Sequence, residues 1–90
     1  MRLDLFLKTS RLVKRRALAK ELCEADRVLV NGRKAQPAKE VRQGDRVTVR
    51  YSAREIELEV LALPERPSAA GKQEPYRVLF EKRISAEEGL

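Results

Sequence analysis

The stretch Lys14-Arg-Arg-Ala-Leu-Ala-Lys-Glu-Leu-Cys-Glu-Ala-Asp26, followed at once by Arg27-Val-Leu-Val-Asn-Gly32, decides the fold. Its first part carries Leu18, Leu22 and Ala25 at helical spacing, which predicts a helix from about Lys14 to Ala25 with Arg16 and Lys20 projecting from the opposite side. Asp26 stands where a helix commonly ends in a left-handed residue, a place Gly fills best and Asp tolerates at modest cost. The next residues, Arg27 to Val30, read as a short β run, and Asn31-Gly32 favours a tight turn with positive φ at both central residues. A helix that feeds directly into a hairpin points to an α+β domain.

Upstream, Leu3, Phe6 and Leu7 have the spacing of a one-to-two-turn helix, with Phe6 expected in the core and Asp4 near the N-terminus, where a carboxylate suits the helix dipole. Downstream, Pro37 opens a loop, Gly44-Asp45 marks a turn, and Arg46 to Tyr51 alternates with the period of a half-buried strand. Glu55 to Glu59 alternates likewise, so Ile56, Leu58 and Val60 are expected to face the core. Glu55, Glu57 and Glu59 then face water as an acidic row, unsuited to binding a polyanion. Tyr76, Val78 and Phe80 alternate again and are expected to return to the sheet. The predicted architecture is thus α+β: two short N-terminal helices packed on a small, mostly antiparallel twisted sheet, with a C-terminal strand extension. Residues 1–63 form the main module, 64–75 a flexible connection without hydrophobic periodicity, 76–83 the last strand and 84–90 a frayed acidic tail.

A chain of 90 residues buries only about 60% of the surface that it exposes when unfolded, so its core must be thin and a deep catalytic cleft is not expected. No stretch approaches the roughly 18 apolar residues needed to span a bilayer, and the N-terminal residues lack the apolar run of a signal peptide; a cytoplasmic protein without membrane contact is expected. With one cysteine, Cys23, and no histidine, neither an internal disulfide nor an ordinary zinc site can form. No nucleophile stands beside a recognisable activating partner, so neither an enzyme nor a cofactor is expected.

The charge is segregated. Met1 to Lys34 holds ten Lys or Arg against four Asp or Glu, and Ala35 to Leu90 carries ten of each, so the whole net charge of +6 lies in the first third. Arg supplies 13 of the 20 basic residues, and its planar fork suits bidentate phosphate contact. Such a field points to a polyanion, nucleic acid first. An anionic membrane surface or an acidic protein would satisfy it too, and charge runs are often only solvated faces.

Arg2-Leu-Asp-Leu-Phe-Leu7, Ser10-Arg-Leu-Val-Lys-Arg-Arg-Ala-Leu-Ala-Lys20, Arg27-Val-Leu-Val-Asn-Gly32 and Val41-Arg-Gln-Gly-Asp-Arg-Val47 together resemble the RNA-binding module of ribosomal protein S-four, the αL-type RNA-binding motif. The best-matching part runs from about Met1 to Arg50. Over nearly the whole chain the sequence is similar to two bacterial families built on this module, the ribosome-associated heat-shock protein and the ribosome-quality-control factor RqcP. The N-terminal residues and Lys14-Arg15-Arg16 most resemble RqcP. That resemblance implies a protein that binds large ribosomal subunits carrying obstructed nascent chain-tRNA, contacts large-subunit rRNA and the tRNA, and supports alanine-tail addition by an RqcH-type partner. Two departures stand out: Arg15 lies where many such modules have a serine helix cap, and Asp26 replaces the usual glycine, so the second helix is expected to be less well terminated at both ends.

The candidate RNA contacts centre on Arg16 and Lys20, with Arg11, Lys14 and Arg15 just before them, a set that could clamp a bent phosphate backbone. Arg2, Lys8, Arg33 and Lys34 extend the patch if the hairpin folds against the helices, as the resemblance implies. Asp4 reads first as a helix-start residue, although the resemblance adds a contribution at the RNA-facing surface through orienting an arginine. Tyr51 and Tyr76 fall in alternating strand patterns, so no stacking platform is expected. Cys23 reads as a small residue at the edge of the packed helix face. A monomer is expected, because no apolar helix face or long uncharged strand is left over.

Overall fold

A computed structural model of the chain describes residues 1–51, 53–63 and 75–83. Helix α1 (Leu3–Thr9) and helix α2 (Arg16–Glu24) come first, followed by strands β1 (Val28–Val30), β2 (Arg33–Lys34), β3 (Arg46–Tyr51), β4 (Arg54–Val60) and β5 (Tyr76–Arg83). The strands form one sheet in the order β2-β1-β3-β4-β5, every pairing antiparallel. The α+β architecture expected from the periodicities is therefore the one observed. Of the expected connection at 64–75, residues 64–74 lie outside the described residues, as does the tail at 84–90.

Helix α1 buries Leu3, Phe6 and Leu7 completely. No side chain caps its N-terminus. Instead the N–H groups of Leu3 and Asp4 donate to the carbonyls of Lys39 and Pro37, at 2.8 and 3.1 Å, so a loop far away in sequence satisfies donors that the helix itself leaves orphaned. The same loop holds the residues before the helix: Arg2 bridges to Glu40, and the Met1 amine forms an ion pair with the Glu40 carboxylate that keeps that carboxyl below its ordinary range.

Helix α2 is shorter than its periodicity suggests and is rotated relative to expectation. Its buried residues are Ala19, Leu22 and Cys23, while Leu18 is half-buried and Ala25, now the C-cap, is exposed. Cys23 thus sits in the core, at 1% exposure, and not at its edge. The large side chains Leu18 and Leu22 dominate a reading by hydrophobicity, yet Ala19 and Cys23, one turn apart, are the small residues that let α2 approach its neighbours closely.

The two helix ends behave differently. Arg15 is extended, φ −130° and ψ 141°, and offers no capping bond. Asp26, by contrast, takes the left-handed conformation at φ 60°, with its N–H donating to Cys23 O at 3.1 Å and the Arg27 N–H to Leu22 O at 2.9 Å, the paired bonds of a Schellman ending. The C-terminus is properly closed despite the missing glycine, which corrects that half of the expectation.

Asn31 and Gly32 have φ 53° and 82°, the double positive φ that the dipeptide predicted, and turn β1 into β2 with Val30 opposite Arg33. Across the sheet Val30, Val47 and Leu58 stand in one row and Val28, Val49 and Ile56 in another; these rows form the core-facing side under the helices.

Strand β5 departs from the simple alternation. A register shift between Glu57 and Leu58 leaves Val78 opposite Leu58 but Phe80 opposite Glu57, so Leu79 is a bulged residue and Phe80 falls on the outer side of the sheet. Val78, Leu79 and Phe80 are 46%, 39% and 50% exposed. Period two in the sequence cannot reveal a bulge, which is set by the pairing strand. This edge strand thus exposes three apolar residues in a row, between Arg77 on one side and Glu81, Lys82 and Arg83 on the other.

Candidate nucleic-acid interface

Asp4 organises the basic end of the molecule. Its side chain is 3% exposed, and its Oδ1 accepts the Leu5 N–H at 2.7 Å. Arg2 Nε lies 3.3 Å from Oδ1, and Arg16 Nε lies 3.4 Å from Oδ2. Two guanidinium groups from residues far apart in sequence, 50% and 48% exposed, are thereby held by one buried carboxylate. Arg16 reaches Asp4 through Nε alone, which leaves its terminal nitrogens for an outside acceptor. Burial pushes the Cys23 thiol up to about 11, and the negative charge of nearby Asp4 adds to this, followed by that of Glu24.

Each candidate has a definite place. Arg2 precedes α1 and Lys8 is exposed on its last turn. Arg11 occupies the interhelix turn at φ 67°, a left-handed conformation that costs an arginine free energy. Lys14 and Arg15 are exposed in the same connection, Arg16 opens α2, and Lys20 follows one turn later on the exposed side. The fold thus joins Arg2 to Arg16 and lines the interhelix connection with cations. Arg33 and Lys34 are exposed on edge strand β2, but Lys34 Nζ lies 3.6 Å from Asp26, at the opposite end of α2 from Asp4. A nine-residue helix separates those ends by about 13 Å. The loop residues Pro37, Lys39 and Glu40 that fasten the N-terminal segment carried no local signal, because their role lies in long-range backbone pairing.

The acidic row is partly neutralised. Arg50 pairs with Glu55 at 2.6 Å and Arg77 with Glu59 at 2.9 Å, while Glu57 has no ion pair among the described residues. Among those residues no group of three or more His, Cys, Asp or Glu is placed to hold a metal ion, and no helix is long and apolar enough to cross a membrane.

Residues 1–47 match the model of the S4 domain. The chain is 41% identical to the RQC P-site tRNA stabilizing factor of Halalkalibacterium halodurans over 88 residues, 98% of this chain and 100% of the relative. It is 38% identical to the protein of the same name from Bacillus subtilis, over 93% of this chain and 98% of the relative. Among solved structures, the trimeric structure of Vibrio cholerae Heat Shock Protein 15 superposes with a TM-score of 0.77 at 30% identity, covering 98% of this chain and 84% of the other.

Proposed function

The chain belongs to the S4-domain family, and we propose from that membership and from the geometry around Asp4 that it is a non-catalytic RNA-binding factor of bacterial ribosome quality control. It binds large ribosomal subunits carrying obstructed nascent chain-tRNA, contacts rRNA and the tRNA itself, and supports alanine-tail addition by an RqcH-type partner. The RNA-facing residues are Arg2, Arg11, Lys14, Arg15, Arg16 and Lys20, with Lys8, Arg33 and Lys34 at the margins and Asp4 as the positioning residue.

The observation that carries this reading is the buried Asp4 carboxylate holding Arg2 and Arg16 half-exposed. A solvated basic face needs no buried carboxylate to order its arginines, whereas a phosphate-binding face gains from it, since a guanidinium already held in place loses less entropy on binding. Duplex RNA hides its base edges in a deep, narrow groove, so shape and phosphates are what such a face reads.

A second reading, recycling of large subunits as in the heat-shock family, is favoured by the likeness to Heat Shock Protein 15. The end-to-end match to the halodurans factor favours quality control. Co-sedimentation with large subunits that carry peptidyl-tRNA, and with the same subunits after the tRNA has been released, separates them. Preference for the loaded particles supports the quality-control reading, and equal binding overturns it. Ribonuclease treatment before capture should abolish the association; survival of the association would point to an acidic protein partner instead.

A further inference from the structure

The geometry points to a second RNA contact at the far end of the sheet, where Tyr51, Arg54 and Arg83 are placed to take an unpaired nucleotide, the base on the tyrosine ring and its phosphate between the arginines. This inference rests on the RNA-binding reading above.

Tyr51 on β3 is the direct partner of Arg54 on β4, and Arg54 of Arg83 on β5. Residues directly opposite in antiparallel strands share a face with their Cβ atoms about 5 Å apart, so the three side chains form one cross-strand row. The alternation Val47, Val49, Tyr51 puts that row on the core-facing side of the sheet, but past the cover of the helices. Val49 is 4% exposed and Tyr51 41%. The ring is therefore neither packed in the core nor isolated on a loop.

Two arginines directly opposite each other repel, and a sheet gains nothing by placing them so. Arg54 has one carboxylate near it, Glu81 at 3.7 Å with both side chains about half exposed, and Arg83 has no ion pair among the described residues. Lys82, next along β5, is likewise exposed and without an ion pair among those residues. A phosphate lying between Arg54 and Arg83 would remove the repulsion. An aromatic ring beside paired guanidinium groups is the arrangement that holds a base by stacking and its backbone by charge, and it is open only to a looped-out or single-stranded nucleotide because a duplex buries its base faces.

This surface is distinct from the one around Asp4. Along α2, Arg16 and Lys20 give way to exposed Glu21 and Glu24, and then to Asp26 at the left-handed end. The chain passes from there to Arg27, whose carbonyl accepts the Arg50 N–H at 2.9 Å, immediately before Tyr51. Acidic side chains thus separate two basic surfaces at opposite ends of the helix, as suits a protein that holds two RNA segments at once.

The test measures affinity for purified large ribosomal subunits carrying peptidyl-tRNA, across a salt series, for the wild type, Tyr51→Ala, Tyr51→Phe, the double variant Arg54→Ala with Arg83→Ala, and Arg16→Ala. Each is first shown to be folded by circular dichroism. Tyr51→Ala should weaken binding about ten-fold with the salt slope unchanged, Tyr51→Phe should restore it, and the double variant should weaken binding and lower the slope by about two. The double variant changes only exposed side chains and keeps the test open should Tyr51→Ala unfold. If Arg16→Ala weakens binding while the double variant and the folded tyrosine variants bind like wild type, the second contact is overturned and the first reading stands. If Arg16→Ala also binds like wild type, both fall.

Discussion

Arg16 reaches the buried carboxylate of Asp4 through its Nε at 3.4 Å, so an exposed arginine on one helix is held by a core residue of another. This contact links folding to binding: the packing that buries Asp4 also fixes the arginine that faces RNA. Arg2 spans the same carboxylate, with Nε 3.3 Å from Oδ1 and Nη2 donating to Oδ2 at 3.5 Å, so two half-exposed arginines share one buried acid.

Asp4→Asn separates this role from simple electrostatics. Removing a negative charge beside a phosphate-binding surface should strengthen RNA binding if only the mean field mattered. The clamp predicts the reverse: with its arginines released, the variant binds large subunits about 1 kcal/mol more weakly, and folding stability falls by a similar amount, limited by the half-exposure of the arginines. Tighter binding by Asp4→Asn in an equilibrium titration would reduce Asp4 to a helix-start residue.

Two left-handed residues give a stability prediction. Arg11 and Asp26 both sit at positive φ, where glycine has no Cβ penalty. Asp26→Gly should raise stability on the order of 0.5 to 1 kcal/mol in urea denaturation, because the exposed Lys34 pair that it removes contributes little. Arg11→Gly should be stabilised comparably but bind RNA more weakly, the signature of a strained residue kept for its charge.

Cys23 gives the pH dependence. Its thiol is raised from 9.0 to about 11 in the folded protein, so above pH 9 the unfolded chain releases the proton first and gains free energy that the folded chain does not. Stability should therefore fall as pH rises from 9 toward 11, by up to about 1.4 kcal/mol per pH unit from this group, and level off above it. Cys23→Ala should lack that component of the decline when the two are compared by chemical denaturation at pH 8 and pH 10.5. The native thiol should also resist alkylation at pH 8, because it is buried and protonated.

Much of this was legible in the sequence because it depends on local pattern. The Asn31-Gly32 turn, the left-handed Asp26 and the alternating strands follow from residue types and their spacing. What was not legible depends on partners distant along the chain. The face of α2 turned toward Ala19 and Cys23 because close packing selects small residues. The bulge at Leu79 arose from the register of β4, and it left Phe80 outside. In the candidate site, the cations were visible as a charge run, whereas the joining of Arg2 to Arg16 through Asp4 required α1 and α2 to be packed together. Tyr51 keeps the alternation of its strand, and its 41% exposure against 4% for Val49 depends on where the helices cover the sheet, which residue spacing along one strand does not reveal.

The most direct measurement is the affinity for large subunits of Arg16→Ala, Lys20→Ala and Glu57→Ala across a salt series. A surface neutralising about five phosphates predicts a log-log slope near −4 for the wild type. Arg16 lies outside the buried residues of α2, so its removal should leave the fold intact, weaken binding by about 1 to 3 kcal/mol and lower the slope by about one, with Lys20→Ala costing less. Glu57→Ala, on the acidic row, should bind as well as wild type or slightly better. Wild-type binding by Arg16→Ala together with lost binding by Glu57→Ala, or a flat salt response of the wild type, would contradict the account.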